Sequence, residues 1–490
     1  MTAATRGAVA SGHPCVSEAA AELLRAGGNA FDAAVAAGFA AAAAEPMFTS
    51  LGGGGFLLAR TAAGRETLFD FFADTPGRGA GTCEPHFVPM TVRFPAQDQL
   101  FNIGLGSVAV PGTLAGLLHV HEALGRRALA DAIAPTVRLA REGVVQIAHQ
   151  AYALKLLEPI HTLTRRCARL YDPGGRTPEE GERLANPALA DLLERLPAEG
   201  AAAFYAGDVA RGVEEEMREG GGLLTAADLA AYRVIERRPL LADHAGRRVL
   251  TNPPPARGGA LLAFSLGVHA ALPKPDWDAS DRVLALVEVM REVERRREGG
   301  LPLDAADAAR RASGGTTHVS VIDAEGNAAS LSLSNGEGSG YVAPGTGILL
   351  NNMLGEDDLH PDGFHVSPPG ERIASGMAPT LVLEDGAPRF ALGSGGSKRI
   401  RTAIAQVLLA SLDHGLPLRE CVEAPRLHWD GECVQLEPGF PKAAVAALEA
   451  RYPVNAWPER NLYFGGVHAV AGPGEAAADP RRDGATAVVD

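Results

Sequence analysis

Apolar and polar positions change rhythm several times along the chain, and each change predicts an element. Ser17 to Arg25 has apolar residues at helical spacing, with Ser17 as N-cap and Gly27-Gly28 as the stop. A second helix is predicted from an Asn29 cap to about Ala44, before Pro46. It is apolar nearly all round, which predicts burial. After the glycine loop Gly52 to Gly55, Phe56 to Arg60 and Thr67 to Phe72 read as strands around a Gly64 turn, and Pro111 to Leu124 reads as a helix. From about 125 to 312 the pattern is mostly helical and highly charged, broken at Pro253-Pro254-Pro255. Glu288 to Glu298 reads as a solvated helix face, and Leu301 to Ser313 is rich in Ala and Asp. At Thr316 the period becomes two. Thr317 to Ile322 and Ala328 to Ser334 are strands around an Asp323 to Asn327 turn. A second hairpin, Thr380 to Leu383 with Arg389 to Leu392, turns at Asp385-Gly386, and Lys398 to Leu412 is an amphipathic helix. No repeat of solenoid period is present, and a layered protein of helices and sheets is expected.

Composition narrows the function classes. The 490 residues carry 45 Lys and Arg against 59 Asp and Glu, a net charge of −14, which argues against a nucleic-acid partner. With 46% hydrophobic and 21% charged residues, disorder is excluded as the main state. The longest apolar run, Ala33 to Ala44, falls short of the ~18 residues of a spanning helix, so no membrane partner is expected. Cys15, Cys83, Cys167, Cys421 and Cys433 are odd in number and lack a CxxC pair, which reads as reduced cysteines without metal. No basic and apolar leader opens the sequence, and a cytoplasmic location is the expectation.

Several motifs look chemical and fail on spacing. Gly393 to Lys398 (GSGGSK) lacks the GxxxxGK[ST] order of a phosphate loop, and Gly336 to Gly340 (GEGSG) lacks the GxSxG nucleophile elbow. His119 and His121 are two apart on a predicted helix, so they fall on different sides as surface histidines. Glu356-Asp357-Asp358 offers oxygen ligands for a hard cation, but a solvated acidic turn is the better reading. No metal and no cofactor is expected. Gly314-Gly315-Thr316-Thr317-His318 leaves two readings open. One is an ordinary glycine-rich loop before a hairpin. The other is self-cleavage between Gly315 and Thr316, in which the Thr316 hydroxyl attacks the preceding carbonyl. That frees an α-amino group to act as base for the same hydroxyl.

The order of segments along nearly the whole chain resembles the γ-glutamyltranspeptidases (γ-glutamyltransferases), which are self-processing N-terminal-nucleophile hydrolases. The segments are EAAAELLRAGGNAFDAAV (Glu18 to Val35), LGGGGFL (Leu51 to Leu57), VPGTLAG (Val110 to Gly116) and GLLTAADLAAY (Gly222 to Tyr232). They continue with PPPARGG (Pro253 to Gly259), TTHVSVIDAEGN (Thr316 to Asn327), PGTGILLNN (Pro344 to Asn352), MAPTL (Met377 to Leu381), Gly393 to Gly396, EAPRL (Glu423 to Leu427) and FGGVHAV (Phe464 to Val470). The resemblance implies an α+β fold, a four-layer αββα sandwich. It implies cleavage into segments 1–315 and 316–490, which stay associated as one αββα unit. It also implies Thr316 as nucleophile, Ser334 as the hydroxyl beside it, Gly395 and Gly396 as main-chain donors to the oxyanion, and a small amide as substrate. A homo-oligomer is compatible with it.

The departures lie in amino-acid recognition. The family's DFRE motif is Asp70-Phe71-Phe72-Ala73 here, so Phe72 replaces the Arg that holds the substrate α-carboxylate. The family's Ser-Ser pair is Ser375-Gly376. Asn335 stands near the Asn that holds the α-amino group, Met353 replaces a Gln, and Glu356 stands for an Asp. The resemblance therefore predicts an amide-cleaving acyl hydrolase or transferase with an altered acyl donor. Arg257, Arg399 and Arg401 are candidate replacement cations, and an Arg at position 72 is expected to restore γ-glutamyl turnover. A protein that keeps the fold but stays uncleaved, as a binding or scaffold subunit, is the competing class.

Overall fold

The computed structural model describes residues 5–79, 84–93, 98–273, 277–298, 315–360 and 362–490. Cys83, Gly314 and the Leu301 to Ser313 stretch lie outside the described residues. The strands of the two main sheets are β1 (Gly7–Ser11), β2 (Gly54–Arg60), β3 (Glu66–Phe71), β4 (Ile235–Arg237), β5 (Leu240–His244), β6 (Arg247–Thr251), β7 (Thr316–Asp323), β8 (Ala328–Ser334), β9 (Thr380–Glu384), β10 (Ala387–Gly395), β11 (Gly466–Ala471), β12 (Glu475–Ala477) and β13 (Ala485–Val489). One antiparallel sheet has the order β13-β1-β7-β8-β2-β3-β4, and the other β12-β11-β10-β9-β6-β5. Each sheet takes strands from both sides of residue 315, so the two segments are interleaved in one body.

β7 and β8 face β10 and β11 across the interior. Their alternation sets what lies between. Val319, Val321, Leu331 and Leu333 point to one apolar core, while His318, Ser320, Ser330 and Ser332 point to the other sheet. There the His318 ring bonds Ser332 Oγ at 2.8 Å and Ser320 Oγ at 2.9 Å, which satisfies its polar atoms inside the protein. Outside the first sheet lie α1 (Pro14–Arg25), α2 (Ala30–Ala44) and α3 (Thr113–Leu124). α2 is buried along its whole length. It starts on a reciprocal cap in which Asn29 accepts from Asp32 N–H and the Asp32 carboxylate accepts from Asn29 N–H. On the second sheet's side are α4 (Gly258–Ala271), α5 (Ala279–Glu298) and α6 (Arg399–Leu412), with α6 against β10 and β11 and α4 against α6 and β5.

Four expectations need correction. α1 begins at Pro14, with His13 Nδ1 accepting from Cys15 N–H, whereas Ser17 is buried and bonds Ser11 Oγ and the Ala485 carbonyl. Residues 235–251, read as helical, form β4, β5 and β6. β4 and β5 are sheet edges; β5 exposes Leu241 as well as Asp243 and leaves Leu240 and Ala242 only half-buried, so no clean alternation of apolar and polar positions announces it. Val88–Arg93 and Asp98–Ile103 form a further hairpin that the pattern does not announce. α5 is not only a solvated face, since Val283, Val287, Met290 and Val293 are buried along it. Cys15, Cys167, Cys421 and Cys433 are free thiols. Among the described residues no helix is long and apolar enough to cross a membrane.

Candidate active site

Register brings the first candidates together. Thr316 opens β7 directly opposite Ser334, the last residue of β8. The Ser334 hydroxyl donates a short hydrogen bond to the Gly315 carbonyl and accepts from Gly336 N–H at 3.1 Å. The carbonyl of the Gly315–Thr316 peptide is thus polarised by a hydroxyl that is itself held by main chain. Gly315 N–H donates to Glu337 Oε1 at 3.1 Å. A side chain at 315 has no room, because a Cβ would stand 2.4 Å from the Gly336 carbonyl and 2.8 Å from that of Met47. Gly395 ends β10. A Cβ there would stand 2.1 Å from the Thr316 carbonyl oxygen, so the two main chains touch. Gly396, at φ +113°, shares a cavity of about 30 Å³ with Gly315, Glu337, Phe48 and Arg482. Thr316, Ser334, Gly395 and Gly396 therefore meet at one point, where the ends of β7, β8 and β10 converge.

The candidates for substrate recognition divide. Asn335 is 1% exposed, and neither its Oδ1 nor its Nδ2 has a partner among the described residues. Glu356 lies under the Gly336 turn, where its Oε1 would be 2.3 Å from a Cβ at 336. Burial first, and the neighbouring Asp358 second, push the Glu356 carboxyl well above the usual range. Glu337 is pushed up by burial, Glu356 and Asp358. Asp358 accepts from Ser397 Oγ at 2.9 Å, beside Gly396. The acidic turn at 356–358 is thus not a solvated one: its first carboxyl is buried and its last is tied to the glycine loop. Ser375 is buried, with Oγ accepting from Met377 N–H at 3.2 Å and its carbonyl accepting from Arg257 N–H at 2.7 Å. Phe72 is packed inside, 2% exposed, with its ring stacked 5.5 Å from Phe56.

The three candidate cations also separate. Arg401 pairs with Glu294 of α5 at 3.0 Å. Arg399 is buried, with Nε donating to the Tyr463 carbonyl at 2.8 Å and the guanidinium over the Tyr463 ring. Arg257 donates to the Asp358 carbonyl at 3.4 Å and lines a cavity of about 540 Å³ with His360 and Arg372. Two guanidinium groups reach Asp70 of β3, two residues before Phe72: Arg237 at 2.8 Å and Arg372. Asp70 and Asp74 hold Arg372 at 2.7 and 2.5 Å.

Sequence reasoning missed Glu337, Glu45, Thr317 and Arg482. Glu45 caps the C-terminus of α2 and accepts from Thr317 Oγ1 at 2.9 Å. A carboxylate at the end of an all-apolar helix, where the dipole disfavours it, was the available signal. Arg482 comes from the far end of the chain and donates to the Thr316 carbonyl at 2.8 Å. Among the described residues one group of metal-ligand type also forms, His244, His269 and Asp413. It lies where β5, α4 and α6 meet, and the Asp413 carboxylate bridges both rings.

A sequence model of the gamma-glutamyltranspeptidase family matches residues 16–306 and 301–489. The chain belongs to the gamma-glutamyltranspeptidase family. It is 33% identical to the acylase ACY 1 proenzyme of Pseudomonas sp. (strain SE83), across 91% of this chain and 87% of that one. It is 31% identical to the glutathione hydrolase proenzyme of Escherichia coli (strain K12), across 91% and 85%. In structure it is similar to the cephalosporin acylase from Bacillus halodurans, with a TM-score of 0.81 at 24% identity, covering 99% of this chain and 96% of that one. The last comparison speaks for the fold. The family's relatives thus include both acylases and glutathione hydrolases.

Proposed function

We propose that this family member is a self-processing amide hydrolase or acyltransferase with Thr316 as nucleophile, and that its acyl donor is not recognised through an α-carboxylate. The Ser334 hydroxyl on the carbonyl of the Gly315–Thr316 peptide carries the reading. The Thr316 hydroxyl attacks that carbonyl, and negative charge builds on the oxygen that Ser334 already contacts. The C–N bond breaks as the hydroxyl proton passes to the nitrogen, which frees the α-amino group and leaves the acyl group on Oγ as an ester; water then hydrolyses that ester to the Gly315 carboxylate and the Thr316 hydroxyl. Segments 1–315 and 316–490 stay together because both contribute hydrogen-bonded strands to each sheet. The order of helices, sheet, sheet and helices supports the four-layer αββα arrangement.

In the mature protein the α-amine takes the Thr316 hydroxyl proton as Oγ attacks the donor amide. Gly395 and Gly396 offer main-chain N–H groups to the oxyanion, each worth roughly 10²–10³ in rate. The leaving amine takes the proton from the α-ammonium, and water or an amine then accepts the acyl group. Phe72, packed on Phe56, speaks against a γ-glutamyl carboxylate at that position. Glu337, Glu356, Asp358 and the unpartnered Asn335 support a donor that presents an N–H group or an amine instead.

The test is intact mass under denaturing conditions for the wild-type chain and for Thr316→Ala. Two fragments of roughly 33 and 18 kDa from the first, and one full-length species from the second, are expected. A single full-length species from both, unchanged after prolonged incubation, would overturn the proposal in favour of an uncleaved binding protein.

A further inference from the structure

The steps above leave one buried cation beside the nucleophile unused. Arg482 is 4% exposed, yet its Nη1 donates to the Thr316 carbonyl at 2.8 Å and its guanidinium lies 5.1 Å from the Phe48 ring centre. It lines the same small cavity as Gly315, Glu337 and Gly396. Glycines clear its slot. A Cβ at Gly466 would stand 2.3 Å from Arg482 Cδ, and one at Gly395 would stand 2.9 Å from its Cζ. Burying a guanidinium costs several kcal/mol. Three strands, β7, β10 and β11, are shaped around it at the site of the chemistry.

Covalent geometry puts the Thr316 nitrogen within about 3.6 Å of its own carbonyl oxygen, so the guanidinium lies within about 6–7 Å of the amine that cleavage frees. A fixed positive charge at that range disfavours a second one. A general base must start unprotonated, and an ordinary α-amine, with a pKa near 7.7–8.0, is mostly protonated at pH 7.

We infer that Arg482 is a positioning residue that fixes the main chain of Thr316 through its carbonyl and keeps the mature α-amine in its neutral, proton-accepting form. The inference rests on the proposed cleavage. The other charged groups around the amine do not cancel the effect. Glu337, beside Gly315, has its carboxyl pushed up by burial and by Glu356 and Asp358, which weakens its negative charge there. Glu45 reaches the site through Thr317, and burial pushes its carboxyl up to about 7, so it is about half ionised at neutrality and offsets the guanidinium only in part. Burial lowers His149 and His468 to about 3, so both are uncharged. Asp479 is ionised at about 2 against the cost of burial, because Arg426 and Arg481 hold it, at 2.6 and 3.1 Å. Arg399 adds to the positive field.

The experiment uses p-nitrophenyl acetate, an activated donor that needs no acyl recognition. The burst of p-nitrophenol is followed from pH 5 to 10, with the Thr316→Ala rate subtracted. Wild type, Arg482→Gln and Arg482→Lys are compared after mass spectrometry and melting curves show each to be cleaved and folded. Arg482→Met is the second charge-free variant should the Gln chain not mature. Loss of the charge should raise the acid limb by about one pK unit or more, a tenfold or larger loss of acylation rate below the limb with the high-pH plateau within about threefold. The Lys variant should keep the limb of the wild type. An unmoved limb in the charge-free variants, or an equal shift in Lys, overturns the inference. If the wild-type chain itself is never cut at Gly315–Thr316, it is the proposed function that fails. If it is cut and the limb does not move, the inference alone fails.

Discussion

Around Thr316 the site is built from main chain and short hydroxyls, and around Phe72 from packed side chains. The first region follows from register: Thr316 opposite Ser334, Gly395 touching the Thr316 carbonyl, and Gly336 N–H on the Ser334 hydroxyl. Such groups survive change in their neighbours, because any residue supplies an N–H and a β-ladder fixes where it points. The second region depends on what one side chain is. Where the family places a guanidinium, this chain stacks two phenyl rings, and the guanidinium groups that reach Asp70, Arg237 and Arg372, are already held by carboxylates. Reactive geometry and donor recognition are therefore separable here, and the second can change while the first stays in place.

The largest expected effect breaks the comparison at its packed end. The sequence alone suggests that Phe72→Arg restores γ-glutamyl turnover. The structure predicts otherwise, because position 72 is enclosed between the sheets and its carbonyl takes the Tyr232 hydroxyl at 2.7 Å. Losing the ring and burying an unpaired charge should cost about 3–5 kcal/mol or more. Thermal melts should show a lower transition, and turnover of γ-glutamyl-p-nitroanilide should not rise. A variant as stable as wild type with restored turnover would mean that Phe72 faces the donor.

At the reactive end, Ser334→Ala removes the hydroxyl from the Gly315 carbonyl. Cleavage, followed as appearance of the two fragments, should slow by about 10²–10³, the range for one lost oxyanion donor. Ser334→Thr keeps the hydroxyl and should process close to the wild-type rate. Equal slowing in both would assign the loss to packing, not to the hydrogen bond.

These two cases show what was legible in the sequence. The Gly-Gly-Thr-Thr run marked Thr316 as one of two open readings, and it was the order of family-like segments, not spacing alone, that pointed to Thr316, Ser334 and the glycine pair. Phe72 was visible as a departure, but its burial was not, since a strand pattern does not say which face meets another sheet. The hairpin at 240–251 stayed hidden because β5 pairs on one side only and exposes Leu241 beside Asp243, which breaks the alternation. Glu45 and Arg482 converge on Thr316 and Thr317 from 272 and 166 residues away, and no local pattern carries contacts of that separation.

Glu45 sharpens the comparison through pH. Burial, partly offset by the Thr317 bond and by Arg482, raises its carboxyl from 4.5 to about 7. A carboxyl whose folded pKa exceeds its unfolded one takes up protons on folding. Its contribution therefore falls as pH rises from about 4.5 to about 7, and stays lower above that. Glu45→Gln cannot ionise and should escape the penalty, which is on the order of 3 kcal/mol. The variant should melt higher relative to wild type at pH 8 than at pH 5. A difference in melting that does not change with pH would place the carboxyl at its ordinary pKa.

The smallest effect separates a structural cation from a recognition one. Arg401 and Glu294 join α6 to α5 with side chains 11% and 15% exposed, between the limits of surface and interior pairs. Arg401→Gln leaves Glu294 short of its ion pair and should cost about 1–2 kcal/mol. Because that pair faces α5 and not the ends of β7, β8 and β10, kcat and KM for any donor the enzyme accepts should stay within about twofold. Arg257→Gln makes the contrast, since that residue lines the cavity of about 540 Å³ beside Asp358 and Ser375. A change in KM for Arg257→Gln with none for Arg401→Gln would place donor recognition in that cavity. A KM effect from Arg401 instead would show that α6 reaches the donor by a route the packing does not suggest.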